Sequence, residues 1–147
     1  MLKRFTIALF LSVSVETAAA TDDLTKPIQV SPDGHFLMQP DGKPFFYLGE
    51  NVETLFWRLT REDTDFYLKD RAAKGFTVVL AQIVPKQDLN WTNAYGETAF
   101  VGGNVSQPNE KYFNHIDWVV ERAHSYGLRV ALAPAQGISQ EIGRAHV

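Results

Sequence analysis

Apolar residues come in three short runs, and each run ends in polar groups. Phe45-Phe46-Tyr47-Leu48 leads into Gly49-Glu50-Asn51. Phe76-Thr77-Val78-Val79-Leu80-Ala81 leads into Gln82, and Leu128-Arg129-Val130-Ala131-Leu132-Ala133 leads towards Gln136. The second run does not alternate, which predicts a strand buried on both faces, as at the centre of a parallel sheet. Helical patterns fill the gaps. Thr60 is placed to cap a helix with Glu62 and Asp63 in its first turn. That helix runs through Phe66, Tyr67, Leu68, Ala72 and Ala73 to a stop at Gly75. Asn109 is placed to cap a second, in which Phe113, Ile116, Val120 and Ala123 share one face before Gly127 ends it. The order strand-helix-strand-helix-strand predicts right-handed βαβ units, hence an α/β fold built on a parallel sheet or barrel.

Upstream, Pro32-Asp33-Gly34 and Pro40-Asp41-Gly42 are turn signatures. They bracket two short strands, Ile28-Gln29-Val30 and His35 to Gln39, so a small β-meander is expected before the strand at Phe45. Between the second strand and the second helix lies a long loop, about Lys86 to Pro108, rich in Asn, Gly and aromatic residues. Long loops inside compact domains are often functional.

The ends of the chain read differently. Met1-Leu2-Lys3-Arg4, an apolar stretch from Phe5 to Val15 and Ala18-Ala19-Ala20 have the layout of a secretory signal peptide. Residues 1–20 are therefore expected to be cleaved on export, leaving a periplasmic or secreted chain with no stable membrane insertion. Residues 21–44 form the lead-in and hairpins, and residues 45–141 form the partial α/β domain. The closing hexapeptide Ile142 to Val147 matches one reading frame of a common sequencing adapter and is read as a non-native tail.

Composition removes several classes of function. The formal net charge is -3 and no Lys/Arg run stands out, so nucleic-acid binding is not expected. There is no cysteine, which excludes disulfides, thiolate metal sites and a cysteine nucleophile. The four histidines are scattered with no metal-ligand spacing, so neither metal nor cofactor is expected. In parallel α/β folds ligands sit at the C-terminal ends of strands. Glu50, Asn51, Gln82 and Gln136 occupy such positions, and Asn93 and Tyr95 lie in the long loop beside them. His115 reads as a surface or boundary residue, Trp57 and Trp118 as core, and Trp91 chiefly as loop packing.

These segments together resemble the apiosidase-like glycoside hydrolases. The resemblance is carried by Ser31-Pro32-Asp33-Gly34, Asp41 to Gly49, Arg58-Leu59-Thr60-Arg61-Glu62, Lys74-Gly75-Phe76, Asn93-Ala94-Tyr95-Gly96, Pro108-Asn109-Glu110 and His115 to Val120. It implies the N-terminal portion of a (β/α)8 TIM barrel, about three βα units after the meander, acting on pectic polysaccharide or oligosaccharide of plant cell walls. It also implies that the catalytic carboxyl pair sits on later strands, commonly the fourth and seventh, so no catalytic residue is assigned here. The six strand-end and loop residues then become substrate-binding candidates, since amides bond sugar hydroxyls and aromatic faces stack on sugar rings. Where the family usually has Gly-Asp-Thr and then Trp, this chain has Gly49-Glu50-Asn51-Val52-Glu53; where the family tends to have Trp before a glycine, Gln136 precedes Gly137.

Overall fold

The computed structural model describes residue 24 and residues 26–85 and 89–134. The signal-peptide, C-terminal tail and Gln136 readings lie outside the described residues. Strands β1 (Gln29–Val30) and β2 (Leu37–Met38) form the expected small antiparallel hairpin. Its turn is held by Ser31, whose Oγ donates to Asp33 Oδ1 at 2.5 Å and accepts from the His35 and Phe36 amides. Strands β3 (Gly49–Asn51), β4 (Val78–Gln82) and β5 (Arg129–Ala133) then make a parallel three-stranded sheet in that order. Helices α1 (Leu55–Arg58) and α2 (Arg61–Ala73) lie between β3 and β4, and α3 (Glu110–Ser125) lies between β4 and β5. The fold is thus mixed α/β with βαβ connectivity.

The first strand of the sheet starts later than the apolar run suggests. Phe45 to Leu48 does not enter the ladder. Phe45 N–H donates to Leu37 O of the hairpin at 2.7 Å. Thr77 then fastens the chain: its hydroxyl donates to Phe46 O at 2.7 Å and accepts from Leu48 N–H at 2.9 Å. Phe46 and Tyr47 remain exposed, at 72% and 52%. Only at Gly49 does the parallel pairing with Val78 begin.

Both helix caps form as expected. Thr60 Oγ1 accepts from Asp63 N–H at 3.2 Å, and Asn109 Oδ1 accepts from Lys111 N–H at 3.1 Å. The Asn109 amide group also donates to Glu97 Oε2 at 3.0 Å and to Thr98 O at 2.9 Å, which ties the long loop to the helix it precedes. Gly127 follows α3 at φ 79, a conformation that costs an L-residue roughly 1–2 kcal/mol. Gly127→Ala should therefore lower stability by about that amount, read as a shift in urea midpoint at unchanged slope.

Register puts Glu50, Val79 and Val130 on one face of the sheet, and Asn51, Leu80 and Ala131 on the other. The first face carries the core. Val79 and Ala81 are fully buried against Leu68 of α2 and Ile116, Val119 and Ala123 of α3, with Leu55 and Phe56 of α1 closing one end. Helix α3 buries Tyr112, His115, Ile116, Val119 and Ala123, while Phe113 and Val120 are half-buried. The buried stripe is rotated by about one residue from the predicted one. On that side of the helix the Tyr112 hydroxyl donates to Ile83 O at 2.6 Å, a tertiary contact that periodicity does not register.

The opposite face is covered only at the N-terminal end of the strands. There Val78 is buried beneath the lead-in, and Arg129 Nη1 donates to Lys26 O at 3.0 Å with its guanidinium 5.8 Å from the centre of the Phe45 ring. Further along, Leu80 is 36% exposed, so burial of the central strand on both faces is not complete among the described residues. No helix among the described residues is long and apolar enough to cross a membrane.

Candidate functional site at the strand ends

Gln82 is the last residue of β4 and is only 2% exposed. Its Nε2 is buried with no hydrogen-bond partner among the described residues, a state that costs about 1–3 kcal/mol when nothing fills it. The amide faces a cleft of about 210 Å³ lined by Glu53, Thr54, Trp57, Arg58, Pro85 and Trp91. Every one of these residues follows β3 or β4, so the cleft lies at the C-terminal end of the parallel sheet. Trp57 is buried, as predicted for a core residue, yet it also forms part of the cleft wall. Trp91 is 46% exposed, which leaves an aromatic surface beside the Gln82 amide. Asn51 is exposed on the open face, and its Nδ2 makes a long 3.5 Å contact with Glu53 Oε1.

Glu50 turns the other way. Strand alternation sends it to the helix face, where Oε2 accepts from Arg71 Nη1 of α2 at 2.6 Å. The Arg71 guanidinium also pairs with Asp70 and lies over the Tyr67 and Phe76 rings, at 5.2 and 5.4 Å. Burial, followed by the Glu50 charge, pushes the Tyr67 hydroxyl up to about 12. Glu50 therefore binds α2 to the sheet, and the expectation that it points towards the site is corrected. Of the two strand-end carboxylates, Glu53 is the one in the cleft.

The loop candidates form a separate cleft on the outer rim, of about 370 Å³, between the loop and the starts of α2 and α3. Asn93 Oδ1 accepts from Tyr95 N–H at 2.9 Å and Glu97 N–H at 3.1 Å, so this asparagine shapes its own turn. Its Nδ2 is buried with no partner among the described residues. Tyr95 is half-exposed, and its hydroxyl accepts from Arg61 N–H, the first amide of α2, at 2.7 Å. Its ring meets His115 edge-on at 5.2 Å. His115 is only 3% exposed, a correction to its reading as a surface or boundary residue. Tyr95 covers one side of the imidazole, and Trp118 lies parallel to it on another.

Burial, with a contribution from Arg61, holds the His115 imidazole below its ordinary value of 6.5. Folding therefore favours the neutral ring. The resulting stability is present above about pH 6.5 and is lost as pH falls through the folded value. His115→Phe should flatten the acid side of the stability profile, measured by urea unfolding at successive pH values. An unchanged slope below pH 6.5 would contradict this.

The structure thus places Gln82 in the strand-end cleft and Asn51 on the sheet face that opens beside it, Asn93 and Tyr95 in the rim cleft, and Glu50 in neither. Helix α1, which brings Trp57 and Arg58 to the first cleft, is absent from the sequence-based prediction. Thr54 followed by Leu55-Phe56-Trp57 was the available signal, but one helical turn is too short for periodicity to register.

A parallel α/β sheet with an amide and aromatic residues at its strand ends is an arrangement suited to carbohydrate. The family model for the apiosidase-like catalytic domain matches residues 31–145, and the chain belongs to that family. Two solved structures, one titled a glycoside hydrolase family 5 from Bacteroides vulgatus ATCC 8482 and one titled a glycoside hydrolase, share 29% identity over 79% of this chain, each with a TM-score of 0.69. They are covered to 26% and 27% of their own lengths, so the chain spans about a quarter of each. A third structure from Bacteroides vulgatus ATCC 8482, at 17% identity and a TM-score of 0.56, shares the fold; it covers 73% of this chain and 23% of its own. No curated protein matches.

Proposed function

We propose that this chain supplies the first βα units of a (β/α)8 barrel that acts on pectic carbohydrate of plant cell walls as a glycoside hydrolase. The observation that carries the reading is the buried Gln82 amide nitrogen, unpartnered among the described residues, beside the exposed Trp91 ring at the C-terminal strand ends. A sugar hydroxyl accepts from such an amide while the sugar's C–H face covers the indole. Exposure of Leu80 on the open sheet face supports further strands closing over it. The sequence of residues 1–20 supports export, and Asn51 and Gln136 join Gln82 as substrate-binding groups on this reading.

Hydrolysis needs two carboxyl groups, about 5–5.5 Å apart for retention or about 6.5–9.5 Å for inversion. Among the described residues lining the strand-end cleft there is one carboxylate, Glu53, since Glu50 is held by Arg71. That favours binding without turnover by this chain itself, the property of a non-catalytic carbohydrate-binding protein on the same scaffold. Titrating the chain with pectic oligosaccharides while following tryptophan fluorescence and reducing-end release separates the two. Binding with no release is expected. No response to any pectic oligosaccharide would remove the carbohydrate reading.

A further inference from the structure

We infer that the rim cleft formed by Asn93, Tyr95 and His115 is a second binding site, and that it takes a neutral sugar ring. It shares none of its lining with the strand-end cleft, and at about 370 Å³ it lies within the usual size range of ligand pockets. Two of its side chains are more than nine-tenths buried and hold nitrogens with no hydrogen-bond partner among the described residues: Asn93 Nδ2, and both ring nitrogens of His115. Folding normally pairs such atoms, and leaving them unpaired costs stability. Packing alone does not explain the pair. Asn93 uses its oxygen for the turn and has its amide hydrogens left over.

The chemistry of these atoms selects the ligand. Asn93 Nδ2 offers two donors. His115, held neutral by burial, offers one donor and one acceptor. Tyr95 OH already accepts from Arg61 N–H, so its own hydrogen is left to donate. Neighbouring hydroxyls on a sugar ring both donate and accept, and they satisfy this mixed set. A carboxylate only accepts, and would set its charge against the lone pair of the neutral imidazole. The rim charges do not favour an anion either: Arg61 and Lys111 are offset by Glu62 and Glu97, and Lys111 Nζ lies 3.3 Å from Glu97 Oε1. The half-exposed Tyr95 ring provides a flat apolar face beside these groups.

The test is ¹H–¹⁵N NMR of the 147-residue chain titrated with methyl β-D-xylopyranoside, with sodium D-galacturonate as the anionic comparison. Saturable shifts of the Asn93 side-chain amide and the His115 ring nitrogens are expected, with weaker binding of the uronate. Asn93→Asp keeps the oxygen that forms the turn and removes the donor, while His115→Phe keeps the ring packing and removes both nitrogens. Each should weaken binding at least roughly tenfold, since Asn93→Asp removes the amide donors and His115→Phe removes both ring nitrogens. Gln82→Met, in the other cleft, should leave it unchanged. Tighter binding of the uronate would overturn the neutral-ligand assignment. Shifts that persist in both rim variants, or that vanish in Gln82→Met, would overturn the site. Failure of pectic oligosaccharides to bind at Gln82 and Trp91 would leave this result unaffected.

Discussion

Replacing Phe56 with alanine should cost about 3–5 kcal/mol, the range for deleting a fully buried aromatic ring. Phe56 is 0% exposed and sits on the single-turn helix α1, between the sheet and α3. Two features put the cost towards the upper end. Its neighbour Leu55 is equally buried, so both faces of the turn depend on the same packing. A helix of four residues also has almost no stability of its own, since nucleation is unfavourable and only packing holds it. The turn therefore cannot relax to fill the cavity without losing its helical form. Small domains have about 5–15 kcal/mol in total, so the variant should be largely unfolded at moderate urea concentrations. Because α1 carries Trp57 and Arg58, the strand-end cleft should be lost with it, seen as a red-shifted tryptophan emission and abolished ligand response. A variant whose unfolding free energy from urea titration stays within about 1 kcal/mol of the parent's would show that α1 is not part of the core.

Gln82→Met should separate binding from stability. Methionine has nearly the same shape and can occupy the same space with little strain. It removes an amide whose nitrogen is buried and unpaired, so stability should stay level or rise. Ligand affinity at the strand ends should fall roughly tenfold to a hundredfold, because a hydroxyl brought into the cleft would meet a thioether in place of a donor. The same logic predicts that Trp91→Ala lowers affinity while changing stability little, since its ring is 46% exposed. The measurement is a paired one: urea midpoint and sugar titration on the same preparation. Loss of stability in Gln82→Met without loss of binding would make Gln82 a structural residue.

Both variants concern positions that the sequence reveals unequally. Caps and stops were legible because each acts within a few residues. Thr60, Asn109, Gly75 and Gly127 do in the structure what their side chains or φ freedom dictate locally. The βαβ order was legible because apolar runs and helical periods alternate along the chain. The start of β3 was not: Phe45 to Leu48 is as apolar as a strand, but Thr77, distant in sequence, takes its backbone partners. Gln82 was legible as a strand-end polar residue, whereas its unpaired nitrogen depends on what surrounds it in space.

Glu50 and His115 show most clearly where local reasoning ends. A carboxylate beside a strand end has two faces to choose from, and a shift of one residue in the start of the strand reverses the choice. Here Gly49 opens the ladder, Glu50 faces α2, and Arg71 becomes its partner. His115 lies one position from an apolar residue on α3, and no periodicity reveals that Tyr95, from a loop twenty residues upstream, will cover it. The sequence by itself determined the two long helices, the three apolar runs and their order, because propensities, caps and apolar periods are short-range, and its motifs carried the family resemblance. Only the tertiary structure decided which side chains share a cleft, because register and loop packing bring together residues that no local interaction couples.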